Sequence, residues 1–377
     1  MKNSPQKWIW QHSNYPHFKY DKTSLVELLI QIEYHHGILY GISKSMNQKD
    51  LQSIKIEALV NEAMNTSAIE GEYLKRESVR ASFYKKLLQH FNARNDTSTH
   101  QTDALVEVLI DCSTNQRELT QERLHAWHNC LFVDSYDFSH RIRIASFRED
   151  DDMQVVSGPI GHEKVHYVAP PAKLIDKDIE ALLEWIENND ENRYIKSALA
   201  HLWFVSVHPY DDGNGRIARA ITDYILSGIS QVDFKLYSLS TAIYHKRTEY
   251  YAMLDKTTNL FMNRDFDFTA WIRWHLETVM QAMIDAQKEL EYLLEKTKFW
   301  DAHRSDALNP RQVKVLNKIL DMGQEKFEGG INTKKYMAIT KISKATAVRD
   351  IQELLSKGCI VQIEGSSGRN IRYEIVV

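Results

Sequence analysis

The sequence predicts a mainly α protein, and three observations carry that expectation. Glycine and proline are scarce, 14 and 7 in 377 residues, against usual shares of about 7% and 5%. Apolar residues recur at helical spacing through many long stretches. Turn-forming residues concentrate in one place, with five of the 21 glycines and prolines lying between residues 147 and 171. So few helix breakers favour long helices with short connections. They exclude collagenous and Gly/Ser-linker architectures, and all-β folds, which need turn residues every few positions.

Taken in order, a leading segment with Trp8, Trp10 and Tyr15 precedes Thr23, a candidate cap for the periodic stretch 25–42. A second periodic stretch covers 50–65, and others cover 101–111, 120–131, 172–187 and 191–207. The series continues over 213–226, 244–257 and 268–298. Runs at 154–156 and 165–168 flank the turn-rich centre and predict a β-hairpin projecting from helices. The polar joint 301–310 marks a domain boundary. Beyond it three short helical patterns precede two alternating strands around Gly365 and Gly368. The expected domains are 1–98, 99–300 and 301–377.

No apolar run approaches the ~18 residues that span a bilayer, and the N-terminus lacks the apolar core of a secretory signal. The three cysteines, Cys112, Cys130 and Cys359, form no CxxC pair and read as reduced thiols, not a disulfide frame or zinc site. These features predict a cytoplasmic protein. The net charge of −4 is uneven: from Arg304 onward the balance is +5, and the remainder carries −9. A basic tail fits a nucleic-acid or acidic partner, or a solvated face.

The densest chemistry lies in His208-Pro-Tyr-Asp-Asp-Gly-Asn-Gly-Arg-Ile-Ala-Arg219, between two apolar helical stretches. Gly213 and Gly215 around Asn214 allow close backbone approach. The start of the second helix offers N–H groups and the positive end of a dipole to an anion. Arg216 and Arg219 share one helical face. Asp212 is a hard oxygen ligand for Mg²⁺ on a phosphate, and His208 can take a proton from a hydroxyl. A helix-connecting turn with a capping Asp and two surface arginines explains any one of these features; their joint occurrence favours nucleotide transfer.

This run resembles the signature of the Fic family, HPFx(D/E)GNGRxxR, with Tyr210 in place of Phe. The resemblance implies a Fic helical core with a β-hairpin flap, and transfer of AMP from ATP to a Ser, Thr or Tyr hydroxyl of a target protein, this chain itself included among the candidates. Gly215 favours adenylylation, because the phosphotransferring branch of the family carries Lys there. His208 would deprotonate the acceptor, and Asp212 would hold Mg²⁺ on the α- and β-phosphates. Gly213, Asn214 and Gly215 would donate to phosphate oxygens through backbone or side chain. Arg216 would support the loop and phosphates, and Arg219 would clamp the γ-phosphate.

Upstream, Thr66-Ser-Ala-Ile-Glu70-Gly71 resembles the inhibitory pattern (S/T)xxxE(G/N) of one Fic class, which implies that Glu70 competes with phosphate for Arg219. Val165, His166, Tyr167 and Val168 occupy the place of the flap strand beside the nucleotide. Tyr250 and Tyr251 resemble a pair that lines the adenine pocket, with core packing as the alternative. The first ~90 residues resemble the N-terminal helical domain of bacterial members, and relatives imply a homodimer and the reverse reaction, removal of AMP. The tail resembles a winged helix with a helix–turn–helix over 334–340 and 344–357. There Lys344, Thr346, Arg349, Arg369 and Arg372 would meet DNA phosphates or bases, with a protein–protein module as the alternative. The alternative function is therefore a DNA-binding regulator whose core only senses nucleotide. His162-Glu-Lys-Val-His166 spells HExxH, but the flanking glycines and prolines leave no room for the helix that zinc proteolysis needs. His125 and His128 read as structural.

Overall fold

The computed structural model describes residues 7–87, 96–114, 117–133, 142–150, 152–159, 161–228, 235–322 and 330–376. The chain divides into two compact units, 1–286 and 287–377. In the first, α1 (Val26–Ser45), α2 (Gln48–Ile69), α3 (Arg76–Leu87), α4 (His100–Thr114) and α5 (Gln121–Leu131) precede a hairpin, β1 (Gln154–Ser157) and β2 (Lys164–Val168). Then come α6 (Ile175–Asn188), α7 (Arg193–Val207), α8 (Asn214–Ser227), α9 (Leu239–His245), α10 (Arg247–Thr258) and α11 (Thr269–Ala302), whose last part belongs to the second unit. The mainly α expectation holds, and the hairpin falls where the turn residues cluster.

The helices form for ordinary reasons. In α2, Ile56, Leu59, Val60 and Ala63 recur three and four apart and are buried on one face. Asn47 caps its start by accepting the Asp50 N–H at 2.9 Å. The cap expected from Thr23 comes instead from Asp21, whose carboxylate accepts the N–H groups of Thr23 and Ser24. Two helices are not evident from the sequence: α3 because its text is largely charged, and α9 because it is only seven residues long.

One core joins α2 and α3 to the later helices. Val60 and Phe83 pack in the same cluster as Leu105, Phe204, Ile217 and Ile221. The sequence separates 1–98 from 99–300; in the structure α2 and α3 share one core with α4–α8, and the first compact unit runs to residue 286. At the centre, α7 buries 13 of its 15 residues, the pattern of a helix apolar nearly all round. It packs on α8, and the loop between them carries the His208–Arg219 run.

In the hairpin, Gln154 pairs with Val168 and Ser157 with Lys164, and the register slips between Val155 and Val156. Tyr167 fastens it to the bundle, donating its hydroxyl to the Ser206 carbonyl at 2.8 Å and packing edge-on against Trp8. The indole N–H of Trp10 donates to the Val168 carbonyl at 2.8 Å. His162 lies in the turn and His166 on β2, so the HExxH text is not helical.

The second unit holds α12 (Pro310–Met322), α13 (Thr333–Thr340), α14 (Lys344–Ser356), β3 (Ile360–Gln362) and β4 (Tyr373–Ile375). The strands pair antiparallel, Ile360 with Ile375. Buried Asp350 knits the helices by accepting from Arg311, Asn309 and the Tyr336 hydroxyl. Lys344, Arg349 and Arg372 are exposed. Thr346 is occupied in the Ser343 cap of α14, and the side chain of Arg369 lies outside the described residues. The three cysteines are free, and burial pushes each thiol up. Among the described residues no helix is long and apolar enough to cross a membrane.

Candidate functional site

Helix α7 ends at His208 in the left-handed conformation, φ 50° and ψ 58°, which is uncommon for a residue with a side chain. Its Nδ1 sits 3.3 Å from the Val205 carbonyl, an arrangement that keeps a proton on Nδ1 and leaves Nε2 as the acceptor. Burial chiefly, with Arg148 adding to it against the pull of the Val205 carbonyl, lowers the imidazole pKa to about 4. The ring is neutral at pH 7.

The loop beyond it is held from inside. Tyr210 N–H donates to Asn214 Oδ1 at 3.0 Å, and Asn214 Nδ2 returns a bond to the Tyr210 carbonyl at 2.7 Å. The Asn214 side chain thereby gives its oxygen and one Nδ2 hydrogen to the loop, which ties its carboxamide down at the start of α8. The fully buried Tyr210 ring stacks on His128 with centroids 4.0 Å apart, and its hydroxyl meets His125 Nδ1 at 3.0 Å. His128 accepts the Ala145 N–H on Nδ1 and donates Nε2–H to the Asp212 carbonyl. The two histidines read as structural therefore buttress the loop itself, and the Tyr210 hydroxyl has a partner.

Gly213 adopts φ +83°, and a Cβ there would meet the Phe132 ring at 3.0 Å. The first intrahelical bond of α8 runs from Ile217 N–H to the Gly213 carbonyl at 3.0 Å. The N–H groups of residues 214–216 therefore lie ahead of the ladder, as an anion site requires. Arg219 is 2% exposed; its Nε donates to Thr66 Oγ1 at 2.8 Å, and its Nη2 to the Thr66 carbonyl at 2.9 Å and to Glu70 Oε1 at 2.8 Å. Its Nη1 and Arg216 Nε are buried with no hydrogen-bond partner among the described residues. A Cβ on Gly215 would come within 2.2 Å of Glu70 Oε1 and 3.2 Å of Arg219 Nη1. The Glu70 carboxylate thus sits directly over the helix start.

The end of α2 explains how it gets there. Glu72 N–H bonds the Ser67 carbonyl at 3.0 Å and Gly71 N–H the Ala68 carbonyl at 3.1 Å, with Gly71 at φ +87°. This is a Schellman turn closed by a left-handed glycine, and it aims a carboxylate from each side of Gly71. Glu70 takes Arg219, while both Glu72 oxygens lie 2.9 Å from Arg216 Nη1. Glu72 was missed in the sequence, where it stands one place beyond the inhibitory pattern.

The other expected residues are less uniformly placed. On β2, Val165 is open to solvent and His166 contacts Ser157 Oγ at 2.6 Å, but Tyr167 is a buried anchor and the Val168 carbonyl is taken by Trp10. Tyr250 belongs to the core: it is 2% exposed, packs near Trp271 and Trp274, and its hydroxyl meets His201 Nε2 at 2.9 Å. Tyr251 is exposed and donates to the Ile69 carbonyl at 3.3 Å, beside the 66–72 turn. A larger cleft of about 690 Å³ between residues 16–20 and α6 contains Trp185, Trp203 and Glu191 but no residue of the 208–219 run.

A helical bundle whose central loop presents a neutral histidine beside a helix start with N–H groups ahead of its ladder, with a hairpin alongside, defines a class of proteins. Residues 118–226 match the Fic/DOC family, so the chain carries a Fic domain there. Residues 8–88 match a domain of unknown function, DUF4172. The chain is 27% identical over 232 residues to protein adenylyltransferase fic-1 of Caenorhabditis briggsae, covering 59% of this chain and 41% of that protein. It is 32% identical over 65 residues to a uridine 5'-monophosphate transferase of Xanthomonas campestris pv. campestris (strain 8004), covering 15% and 12%. The chain therefore spans less than half the length of these curated relatives. A Fic family protein from Desulfovibrio desulfuricans G20 shares the fold, with a TM-score of 0.53 at 18% identity over 95% of this chain and 97% of that one.

Proposed function

We propose that this chain is a protein adenylyltransferase that moves AMP from ATP to a Ser, Thr or Tyr hydroxyl of a protein, and that Glu70 holds it inactive. The observation that carries this reading is the position of the Glu70 carboxylate, over the Gly215 backbone and on Arg219. A site built to seat an anion is already filled by one. The buried, unpartnered Arg219 Nη1 and Arg216 Nε supply further donors for phosphate oxygens once the segment leaves.

In the proposed step the acceptor oxygen attacks the α-phosphorus, the bond from that phosphorus to the oxygen bridging the β-phosphate breaks, and pyrophosphate leaves. The hydroxyl proton passes to His208 Nε2, the ring nitrogen left open by the Val205 contact. Asp212 suits a phosphate-bound cation: its side chain is 59% exposed, Oδ1 accepts the Gly213 N–H at 2.6 Å, and Oδ2 takes no hydrogen bond among the described residues. Mg²⁺ held there would offset charge on the α- and β-phosphates. The N–H groups of 214–216 and the two arginines supply fixed donors where charge accumulates.

Intact-mass measurement of the Glu70→Gly protein with ATP, alone and with lysate, tests the reading. The expected result is one added AMP on itself or on lysate proteins, with wild type labelled about 10- to 100-fold less. UTP in a parallel arm decides between AMP and UMP transfer. No added mass from either nucleotide overturns the proposal. A second reading, DNA binding by residues 287–377, rests on the exposed Lys344, Arg349 and Arg372; a salt-dependent gel shift lost with Lys344→Ala/Arg349→Ala would support it.

A further inference from the structure

Arg148 lies outside the motif, in the stretch leading to the hairpin, and is 2% exposed. Its guanidinium Nε donates to the His208 carbonyl at 2.8 Å. Nη2 donates to the Pro170 carbonyl at 2.5 Å and reaches the Val207 carbonyl at 3.5 Å, while Nη1 bonds the Asp150 carbonyl. The Arg148 backbone N–H donates to the Pro209 carbonyl at 2.9 Å. One side chain thus ties together the chain entering the hairpin, the chain leaving it, and the end of α7 at His208.

The location suits a guanidinium for two reasons. Carbonyls at a helix C-terminus are unsatisfied and carry the negative end of the dipole, and His208 ends α7 in a conformation that leaves them turned away from a continuing ladder. A planar fork with several donors can serve carbonyls from separate segments at once, which a single ammonium cannot do. We propose that Arg148 is a positioning residue that sets the separation between the hairpin and His208, and hence between an acceptor hydroxyl laid along the hairpin and the base. Displacement of reacting groups by about 1 Å can cost about 100-fold in rate. The nucleotide-facing groups, Asp212 through Arg219, make none of these contacts. Arg148 therefore controls transfer and leaves nucleotide capture alone. This rests on the adenylyltransferase reading for its kinetic consequence, but not for the physical tie.

The experiment places Arg148→Lys in the Glu70→Gly protein and measures three quantities: kcat and KM for transfer from ATP, ATP affinity by titration calorimetry, and hydrogen exchange of 153–157, 164–168 and 204–209. The expected result is a kcat lower by about 100-fold, ATP affinity within about twofold of the parent, and faster exchange in the hairpin and around His208 together. Added guanidinium is expected to restore part of the lost rate. Unchanged kcat overturns the proposal, as does an ATP affinity that falls in step with kcat. If the Glu70→Gly parent transfers nothing, the enzymatic reading has failed, and hydrogen exchange alone decides the tie. Joint acceleration of the hairpin and 204–209 sustains it, and unchanged exchange in either one refutes it.

Discussion

The loop 208–214 and the turn 66–72 meet at the same helix start, yet they are held by opposite means. The loop is fixed by buried, mostly neutral contacts: the reciprocal Tyr210–Asn214 pair, the His128 stack, and Arg148 on backbone carbonyls. The turn reaches the site through two carboxylates that keep partial solvent exposure, Glu70 at 29% and Glu72 at 40%. Buried neutral networks are costly to break, and partly exposed ion pairs are not. On the proposed reading the loop stays fixed, whereas the Glu70 and Glu72 carboxylates are the part of the site that has to leave.

That contrast can be broken at four points beyond the Glu70 test. The largest effect is expected for His208→Ala, which should lower AMP transfer by about 10³-fold in the Glu70→Gly background while ATP binding persists; radiolabel transfer and calorimetry read the two separately. Next, Asn214→Ala leaves the buried Tyr210 N–H and carbonyl unpaired and should cost about 2 kcal/mol, seen as a lower midpoint in denaturant unfolding. Glu72→Gln should weaken the turn without freeing Arg219, raising wild-type transfer by only about two- to fivefold, since a half-exposed ion pair contributes at most about 1 kcal/mol. An effect equal to that of Glu70→Gly would make the two carboxylates equivalent.

The smallest effect concerns pH. With His208 and His128 each lowered to about 4 by burial, both stay neutral well below the usual imidazole value of about 6.5. Transfer should therefore change less than about twofold between pH 5 and 8, where an unshifted histidine base would lose most of its activity. Stability has the opposite sensitivity. Between about 6.5 and 4 the unfolded chain binds protons that the folded one does not, so the melting temperature should fall as pH drops through that window.

Much of the site was legible because its chemistry is contiguous. His208, Asp212, the glycines and both arginines lie within one loop and the first two turns of α8, and Glu70 stands in a short pattern of its own. Arg148 and His128 were not legible in their roles, because they act on backbone carbonyls and amides, and sequence does not record which carbonyl a distant side chain will find. Glu72 was hidden for a different reason: only the left-handed Gly71 turn brings a second carboxylate back to the same face. The adjacent Tyr250 and Tyr251 look alike in text, yet helix rotation sends one into the core and the other toward Ile69. At the level of folds, the hairpin was marked by its glycines and prolines. The core that α2 and α3 share with α4–α8 was not, since shared burial leaves no local mark on either partner.

The missing side chain of Gly215 has a further consequence. A Cβ there would come within 2.2 Å of Glu70 Oε1, so the space it leaves is taken by the glutamate. Any phosphate that settles there must first evict the glutamate, so the two compete for a single seat. Competition of this kind obeys mass action: once a ligand exceeds its dissociation constant, each further tenfold rise weighs about 1.4 kcal/mol against the resident group. On the proposed reading the lock would therefore be graded, and the concentration of the incoming anion would itself set how often it stands open.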